Sequence, residues 1–137
     1  MGVKKRSLEQ NENYEEKIIA LAGNPNVGKS TIFNALTGMK QHTGNWPGKT
    51  VSNAQGRACS KTHSYLMVDI PGTYSLMAHS AEEEVARDFV CFGGADAVVA
   101  VCDATCLVRN MNLVLQLLEI TPNLIVCVNL MDEAKRK

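Results

Sequence analysis

Eight residues near the start of the chain, 23–30, have the types and spacing that bind a phosphate group, and we call them the phosphate loop. They read Gly-Asn-Pro-Asn-Val-Gly-Lys-Ser, with a four-residue spacer between the two glycines. Such a loop lets consecutive backbone N–H groups surround a phosphate, and the helix that follows directs the positive end of its dipole there. Lys29 adds a charge for the β- and γ-phosphates, and Ser30 offers a hydroxyl to Mg²⁺. The alternative, a glycine-rich turn with a surface lysine, is disfavoured by the apolar run before the loop and the helical pattern after it.

A second group that can act on a phosphate is Thr50, which ends a twelve-residue stretch, 39–50, that is predicted to be a loop. A loop of this length inside a compact domain is more often functional than idle. The Thr50 hydroxyl can reach Mg²⁺, and its backbone N–H can meet a γ-phosphate. The alternative is a β-branched residue that only opens the next predicted strand, 51–59, and the residues themselves leave both interpretations open.

An acidic motif, Asp-Ile-Pro-Gly at 69–72, accompanies an apolar run that predicts a buried strand over 63–70. A carboxylate at the carboxyl end of a parallel strand, beside a phosphate loop, can hold the water shell of Mg²⁺. The backbone N–H of Gly72 can then lie against the γ-phosphate. Asp69 and Gly72 are therefore predicted to belong to the same site as the phosphate loop.

A further motif, Asn-Leu-Met-Asp at 129–132, follows a strand predicted over 124–128. The Asp132 carboxylate can accept two hydrogen bonds from the N1–H and the exocyclic amine of guanine, a donor pair that adenine lacks. A site built on such bonds leaves a buried charge unpaired when the wrong base enters, so discrimination can reach ~10⁴ or more. The motif predicts a preference for guanine. An ATP-using kinase is disfavoured because Asn129 and Asp132 would have no role in it.

The elements that must position these groups alternate between strand and helix. Apolar runs predict strands over 17–22, 51–59, 63–70, 97–102 and 124–128, and helical patterns predict helices over 29–37, 80–92 and 107–121. This order predicts an α/β fold, a mostly parallel sheet with helices on both faces and the ligand outside the carboxyl ends of the strands. All four motifs fall at those ends, and this coincidence is stronger evidence than any one of them.

Local features refine this prediction. Gly38 can cap the first helix in the left-handed conformation, and Ser80 with Glu83 indicates a capping box that opens the second. The last predicted strand is apolar throughout, which is typical of burial on both faces. The apolar side chains of the third helix are also predicted to be core, namely Leu107, Met111, Val114, Leu115 and Leu118.

Length and composition bound the class of protein. The 137 residues fit one domain, and Lys+Arg and Asp+Glu are equal at 14 each, which argues against a nucleic-acid partner. No apolar run reaches the ~18 residues that a membrane span needs, so a soluble domain is expected. The five cysteines predict a reducing compartment without disulfides. Residues 1–16 are polar and charged and predict a mobile leader before a domain over 17–137.

Three segments resemble the cytosolic G domain of the ferrous iron transport protein B family, within the P-loop GTPase superfamily. They read Gln-His-Thr-Gly-Asn-Trp-Pro-Gly-Lys-Thr-Val at 41–51, Asp-Ile-Pro-Gly-Thr-Tyr-Ser-Leu at 69–76 and Asp-Ala-Thr at 103–105. The resemblance implies a domain that binds GTP and GDP with Mg²⁺ and hydrolyses GTP slowly. It also implies a place at the cytoplasmic face of the cell inner membrane, with a helical spacer and a transmembrane Fe²⁺ transporter covalently linked outside this chain. Formation of a homo-oligomer is left open.

The resemblance also assigns roles to individual residues. Catalysis falls to Asn26, Lys29, Thr50 and Gly72, and Mg²⁺ to Ser30, Thr50 and Asp69. Asn26 matches the asparagine that helps hold K⁺ in potassium-activated GTPases, although it can also be a polar loop residue that bonds its own backbone. Nucleotide binding falls to Gly23, Asn24, Pro25, Asn26, Val27, Gly28, Lys29, Ser30, Thr31, Asp69, Ile70, Pro71, Gly72, Asn129, Leu130, Met131 and Asp132.

Several positions depart from the patterns that the resemblance implies. Lys49 and Ser52 stand where valine and glutamate are expected, which affects the first switch. Thr73 occupies the place of the glutamine that orients the attacking water in Ras-type GTPases, so slow turnover is expected. Leu130 replaces the usual lysine of the base motif. The chain ends five residues after Asp132, so the C-terminal strand and helix of the fold are expected to be missing and guanine affinity to be weaker.

Two other functions stay open at this point. One is a nucleotide-sensing interaction module with incidental hydrolysis, in which the loop around Trp46 docks on the transporter. The other is a ribosome-assembly GTPase, which the zero net charge disfavours.

Overall fold

The computed structural model describes residues 16–38, 41–77 and 79–136. Its strands are β1 (Lys17–Gly23), β2 (Gln41–Asn45), β3 (Ser52–Cys59), β4 (Ser64–Asp69), β5 (Ala97–Asp103) and β6 (Leu124–Asn129). Its helices are α1 (Lys29–Thr37), α2 (Ala81–Phe92), α3 (Leu107–Ile120) and α4 (Met131–Lys135), with a 3₁₀ turn at Ala104–Cys106. None of the helices in these ranges combines the length and the apolar character that crossing a membrane requires.

The strands form one six-stranded sheet in the order β2-β3-β4-β1-β5-β6. The four strands β4, β1, β5 and β6 are parallel, whereas β3 runs antiparallel to both of its neighbours, β4 and the edge strand β2. The predicted α/β fold with a mostly parallel sheet is confirmed. Because β3 runs opposite to β4, the start of β3 lies at the same edge of the sheet as the carboxyl end of β4.

Apolar side chains cover both faces of the central strands, as their uninterrupted apolar runs predict. On one face Ala20 and Ala22 of β1 pack against a cluster that includes Ala86 of α2 and Leu117 of α3. On the other face Leu21 packs in a second cluster with Val27 and with Phe33 of α1. The helices therefore lie on both faces, and β1 is held in the middle of the domain with its carboxyl end fixed.

The prediction of a continuous loop over 39–50 is wrong for residues 41–45, which form β2. This strand pairs with β3 from Gln41 opposite Gly56 to Asn45 opposite Ser52, and a short turn closes the hairpin. Its residues are polar and mostly exposed at the edge of the sheet, so they carry no apolar alternation that would reveal a strand. Met39 and Lys40 lie outside the described residues.

Two predictions of burial are also wrong. Strand β6 is an edge strand, and Ile125 is 59% exposed, so its apolar run is not covered on both faces. On α3, Leu115 is 60% exposed, and Leu107 and Leu118 are exposed as well. The helix carries apolar residues on two faces, and only the face with Leu113, Val114 and Leu117 packs on the sheet.

The predicted helix caps are present, with one difference. Gly38 ends α1 at φ 63°, and its N–H donates to the Asn34 carbonyl. The Ser80 hydroxyl accepts the Glu83 N–H at 3.1 Å, but the Glu83 carboxylate accepts the Ser75 hydroxyl at 2.8 Å, so its bond goes to the segment before α2. Of the predicted leader only Glu16 lies within the described residues, where it pairs with Arg57 Nε at 3.0 Å.

Candidate nucleotide-binding site

The phosphate loop joins the buried end of β1 to the first turn of α1. Asn26 and Gly28 adopt positive φ angles of 65° and 86°, which curl the chain between the two elements. The Gly28 carbonyl accepts the Ile32 N–H at 3.1 Å and so begins the helix. The loop bounds an open cavity of about 400 Å³, which is lined by Asn24, Pro25, Asn26, Gly28, Lys29, Ser30 and Gly72.

Lys29 forms an ion pair with Asp69 at the end of β4. Both side chains are largely buried, so the ammonium and the carboxylate hold each other in place at the mouth of the phosphate loop. A second cavity of about 320 Å³ shares Lys29 and Gly72 with the first, so the two lie side by side. Its lining residues are Lys29, Thr50, Val51, Ser52, Ala54, Asp69, Ile70, Pro71, Gly72 and Glu82.

The segment after β4 lies directly on the phosphate loop. The Thr73 N–H donates to the Gly23 carbonyl at 3.1 Å. A Cβ on Gly72 would stand 3.2 Å from the Pro25 Cα, so only glycine fits here without a shift of the backbone. Gly72 thus lines both cavities, as Lys29 does.

Asn129 ties the carboxyl end of β6 to the phosphate loop. Its Nδ2 donates to the Val27 carbonyl at 3.0 Å. A Cβ on Gly28 would overlap the same Asn129 amide nitrogen, so this side chain packs directly against the loop. The base motif therefore begins in contact with the phosphate loop.

The rest of the base motif lines a third cavity, of about 390 Å³. Leu130 has a positive φ of 62° and precedes α4, whose first turn carries Asp132. This cavity shares no lining residue with the other two and adjoins them through Asn129. Its lining residues are Val128, Asn129, Leu130, Met131, Asp132 and Glu133.

Val27 and Ile70 of the predicted site can contribute only their backbone, and Thr31 lies away from the cavities. The side chains of Val27 and Ile70 are buried in the core, and Thr31 is exposed on α1 without lining any of the three cavities. Conversely, Glu82 lines the second cavity. Its sequence context indicates only the start of a helix and does not predict a place in the site.

The side chains around the Lys29–Asp69 pair suit a magnesium ion. Ser30 lines the first cavity and Thr50 the second, each with a hydroxyl oxygen, and Asp69 adds a carboxylate to the second. Hard oxygen ligands of this kind are the ones Mg²⁺ prefers, usually together with phosphate oxygens and water. No cluster of three or more His, Cys, Asp or Glu side chains that could form a separate all-protein metal site occurs among residues 16–38, 41–77 and 79–136.

The sequence pattern of one family, described as "Ferrous iron transport protein B", matches residues 17–137. The chain belongs to this family. The chain is 52% identical over 108 residues to the Fe(2+) transporter FeoB of Methanocaldococcus jannaschii, a match that covers 79% of this chain and 16% of that protein. It spans only a small part of that relative's length.

Solved structures of FeoB proteins share the fold. The G domain of the T. maritima FeoB iron transporter superimposes with a TM-score of 0.86 at 42% identity, covering 90% of this chain and 77% of that one. The cytosolic domain of the same transporter in its GMPPNP form gives a TM-score of 0.84 at 43% identity, covering 88% of this chain and 48% of that one. The chain is thus a FeoB-family G domain of the P-loop GTPase class, and the predicted resemblance is confirmed.

Proposed function

We propose that this domain binds GTP and GDP with Mg²⁺, hydrolyses GTP slowly, and acts as a switch for a covalently linked ferrous iron transporter at the cytoplasmic face of the membrane. One observation carries the proposal. Lys29, Thr50, and the pair Asp69 and Gly72 come from three separate segments of the chain and line one cavity at one edge of the sheet. Asn129 brings the base motif to the same loop.

Each group along this edge of the sheet has a role that follows from its chemistry. Lys29 and the N–H groups at the start of α1 neutralise the phosphates, and the Gly72 N–H meets the γ-phosphate. Asp132 reads guanine through its N1–H and amine. Ser30, Thr50 and Asp69 would hold Mg²⁺, which would supply positive charge to neutralise the phosphates when it is bound. Asn26, exposed at the rim of the phosphate loop, would help hold K⁺, which offsets negative charge in the transition state.

Slow turnover follows from Thr73. Ras-type GTPases use a glutamine here to orient the attacking water. Thr73 is buried, and its N–H is bonded to Gly23, so this position offers no long polar side chain to the cleft. We expect an intrinsic rate no faster than the ~10⁻⁴ to 10⁻³ s⁻¹ of Ras-type enzymes without K⁺ or a partner.

A switch requires that loss of the γ-phosphate frees two loops, those of Thr50 and Gly72.

The alternative of a docking module centred on Trp46 is less well supported. The Trp46 ring packs against Phe89 of α2, with centroids 5.3 Å apart, and joins the edge of the hydrophobic core. The ring therefore does not project from the surface, where it could anchor a partner. The ribosome-assembly alternative has no further support, because the chain carries no net positive charge.

The test compares the affinities of GDP and GMPPNP by calorimetry and follows single-turnover GTP hydrolysis in K⁺ and in Na⁺. We expect unequal affinities and faster hydrolysis in K⁺. Lys29→Ala should lose most of the binding, whereas Lys61→Ala, an exposed lysine in the turn between β3 and β4, should retain it. Equal affinities with no cation effect would refute the switch, and absence of binding to either nucleotide would refute the function as a whole.

A further inference from the structure

Asn24, the second residue of the phosphate loop, has a polar side chain that is buried without hydrogen bonds. It is only 3% exposed, yet neither Nδ2 nor Oδ1 has a hydrogen-bond partner among the described residues. A buried amide without partners destabilises the conformation that contains it, because the amide has lost its bonds to water and gained none. Such a group in a functional loop points to another conformation in which it is bonded.

Asn110 shows what a satisfied amide looks like in the same domain. It is 2% exposed, its Nδ2 donates to the Cys106 carbonyl at 2.7 Å, and its Oδ1 accepts the Asp103 N–H at 3.4 Å. The two asparagines are therefore matched in burial and differ in whether their amides are bonded. This makes Asn110 a control for any effect of Asn24.

The surroundings of Asn24 indicate where its partner lies. Its neighbour Gly23 accepts the Thr73 N–H, and its other neighbour, Pro25, is the residue that a Cβ on Gly72 would meet. Asn24 is thus flanked on both sides by contacts to the segment 72–73. That segment carries the N–H that the proposed function places against the γ-phosphate.

We propose that Asn24 is a positioning residue, whose carboxamide bonds the main chain of residues 71–73 when a triphosphate is bound and holds Gly72 against the γ-phosphate. Its Nδ2 can donate to a carbonyl of this segment and its Oδ1 can accept an N–H. The inference rests on the proposed function. Asn24 thereby favours the triphosphate over the diphosphate, because only the triphosphate draws the segment into the bonded arrangement.

The test measures two quantities for the whole chain, the Tm without nucleotide and the affinities for GMPPNP and GDP. Asn24→Leu removes the unbonded amide at similar volume, so it should raise the Tm by about 3 °C. It should weaken the affinity for GMPPNP by about 5- to 30-fold, which is the effect of losing one or two hydrogen bonds, and change the affinity for GDP by less than about twofold. Opposite signs for stability and triphosphate affinity are not expected of a merely structural residue.

Asn110→Leu is the matched control, and it should lower the Tm and leave the ratio of the two affinities unchanged. Asn24→Ala covers the case in which leucine does not fit, and it should shift the ratio as Asn24→Leu does. The inference is overturned if Asn24→Leu behaves as Asn110→Leu, or if it weakens GDP and GMPPNP equally. If the unaltered domain binds neither nucleotide, the proposed function fails instead, and the two failures are distinguishable.

Discussion

Replacing Gly28 with alanine would test how closely the phosphate loop is packed against the end of β6. Gly28 has a φ of 86°, and a Cβ there would overlap the amide nitrogen of Asn129. The substitution therefore places an L-residue in the left-handed region and displaces the side chain that bonds the Val27 carbonyl. Both effects act at the point where the phosphate loop meets the base motif.

The expected loss of stability is the sum of these two effects. A side chain in the left-handed conformation costs about 1–2 kcal/mol, and loss of the Asn129 hydrogen bond costs about 1 kcal/mol more. We expect Gly28→Ala to lower the free energy of unfolding by about 2–3 kcal/mol, which lowers the Tm by about 6–12 °C. Thermal unfolding measures this, and calorimetry with GDP should show affinity reduced by about tenfold or more because Asn129 is displaced.

Gly38→Ala is the matched control, since Gly38 has a φ of 63° and, among the described residues, no part of another segment comes within 4 Å of the position of a Cβ. It should lose only the conformational part, about 1–2 kcal/mol, and bind GDP normally. Asn129→Ala should relieve the overlap, so that adding Gly28→Ala to it costs no more than Gly38→Ala does. If Gly28→Ala and Gly38→Ala destabilise the domain equally, the packing described for Asn129 is wrong.

Three further predictions concern the base, the switch and pH. Asp132→Asn should weaken the affinity for GTP and favour a base with a keto group in place of the amine, as in xanthosine triphosphate. An unchanged affinity for GTP would refute the role assigned to Asp132. Trp46 is the only tryptophan and lies four residues before Thr50, so its fluorescence should change more with GMPPNP than with GDP, and Phe89→Leu should alter the emission before any nucleotide is added. Burial, and secondarily Cys127, raises the pKa of the Cys102 thiol above its ordinary value of 9.0. The folded state therefore favours the protonated thiol. The contribution of this thiol to folding stability is complete below pH 9.0 and is lost as the pH rises. Cys102→Ala should flatten the fall in Tm between about pH 9 and pH 11, and an unchanged slope would show that this thiol does not set it.

The parts of the site that could be predicted from the sequence are those set by local spacing. The phosphate loop is contiguous, and the motifs at 69–72 and 129–132 each follow a strong apolar run, so their places at the ends of β4 and β6 needed no knowledge of tertiary contacts. The order of the strands then brings these ends to one edge of the sheet. Local pattern and topology agree here because the strands that carry the motifs are parallel.

The parts that could not be predicted depend on contacts between distant residues. The Lys29–Asp69 and Asn129–Val27 bonds join residues 40 and 102 positions apart, and no spacing rule specifies either pair. Strand β2 was missed because its pairing partner, rather than its own polar sequence, makes it a strand. The exposure of Leu115 and Ile125 was missed because apolar periodicity shows which residues share a face and does not show whether another element covers it.

Displacement of a labelled GDP from the domain by GTP or by ATP, in the presence of Mg²⁺, tests the central claim most directly. Selective displacement by GTP requires the phosphate loop and the base motif to act on one ligand. We expect GTP to displace the label at concentrations at least about 100-fold lower than ATP, because adenine leaves the Asp132 carboxylate without its donor pair. Displacement by ATP and GTP at equal concentrations would contradict the claim that Asp132 and Lys29 belong to a single nucleotide site.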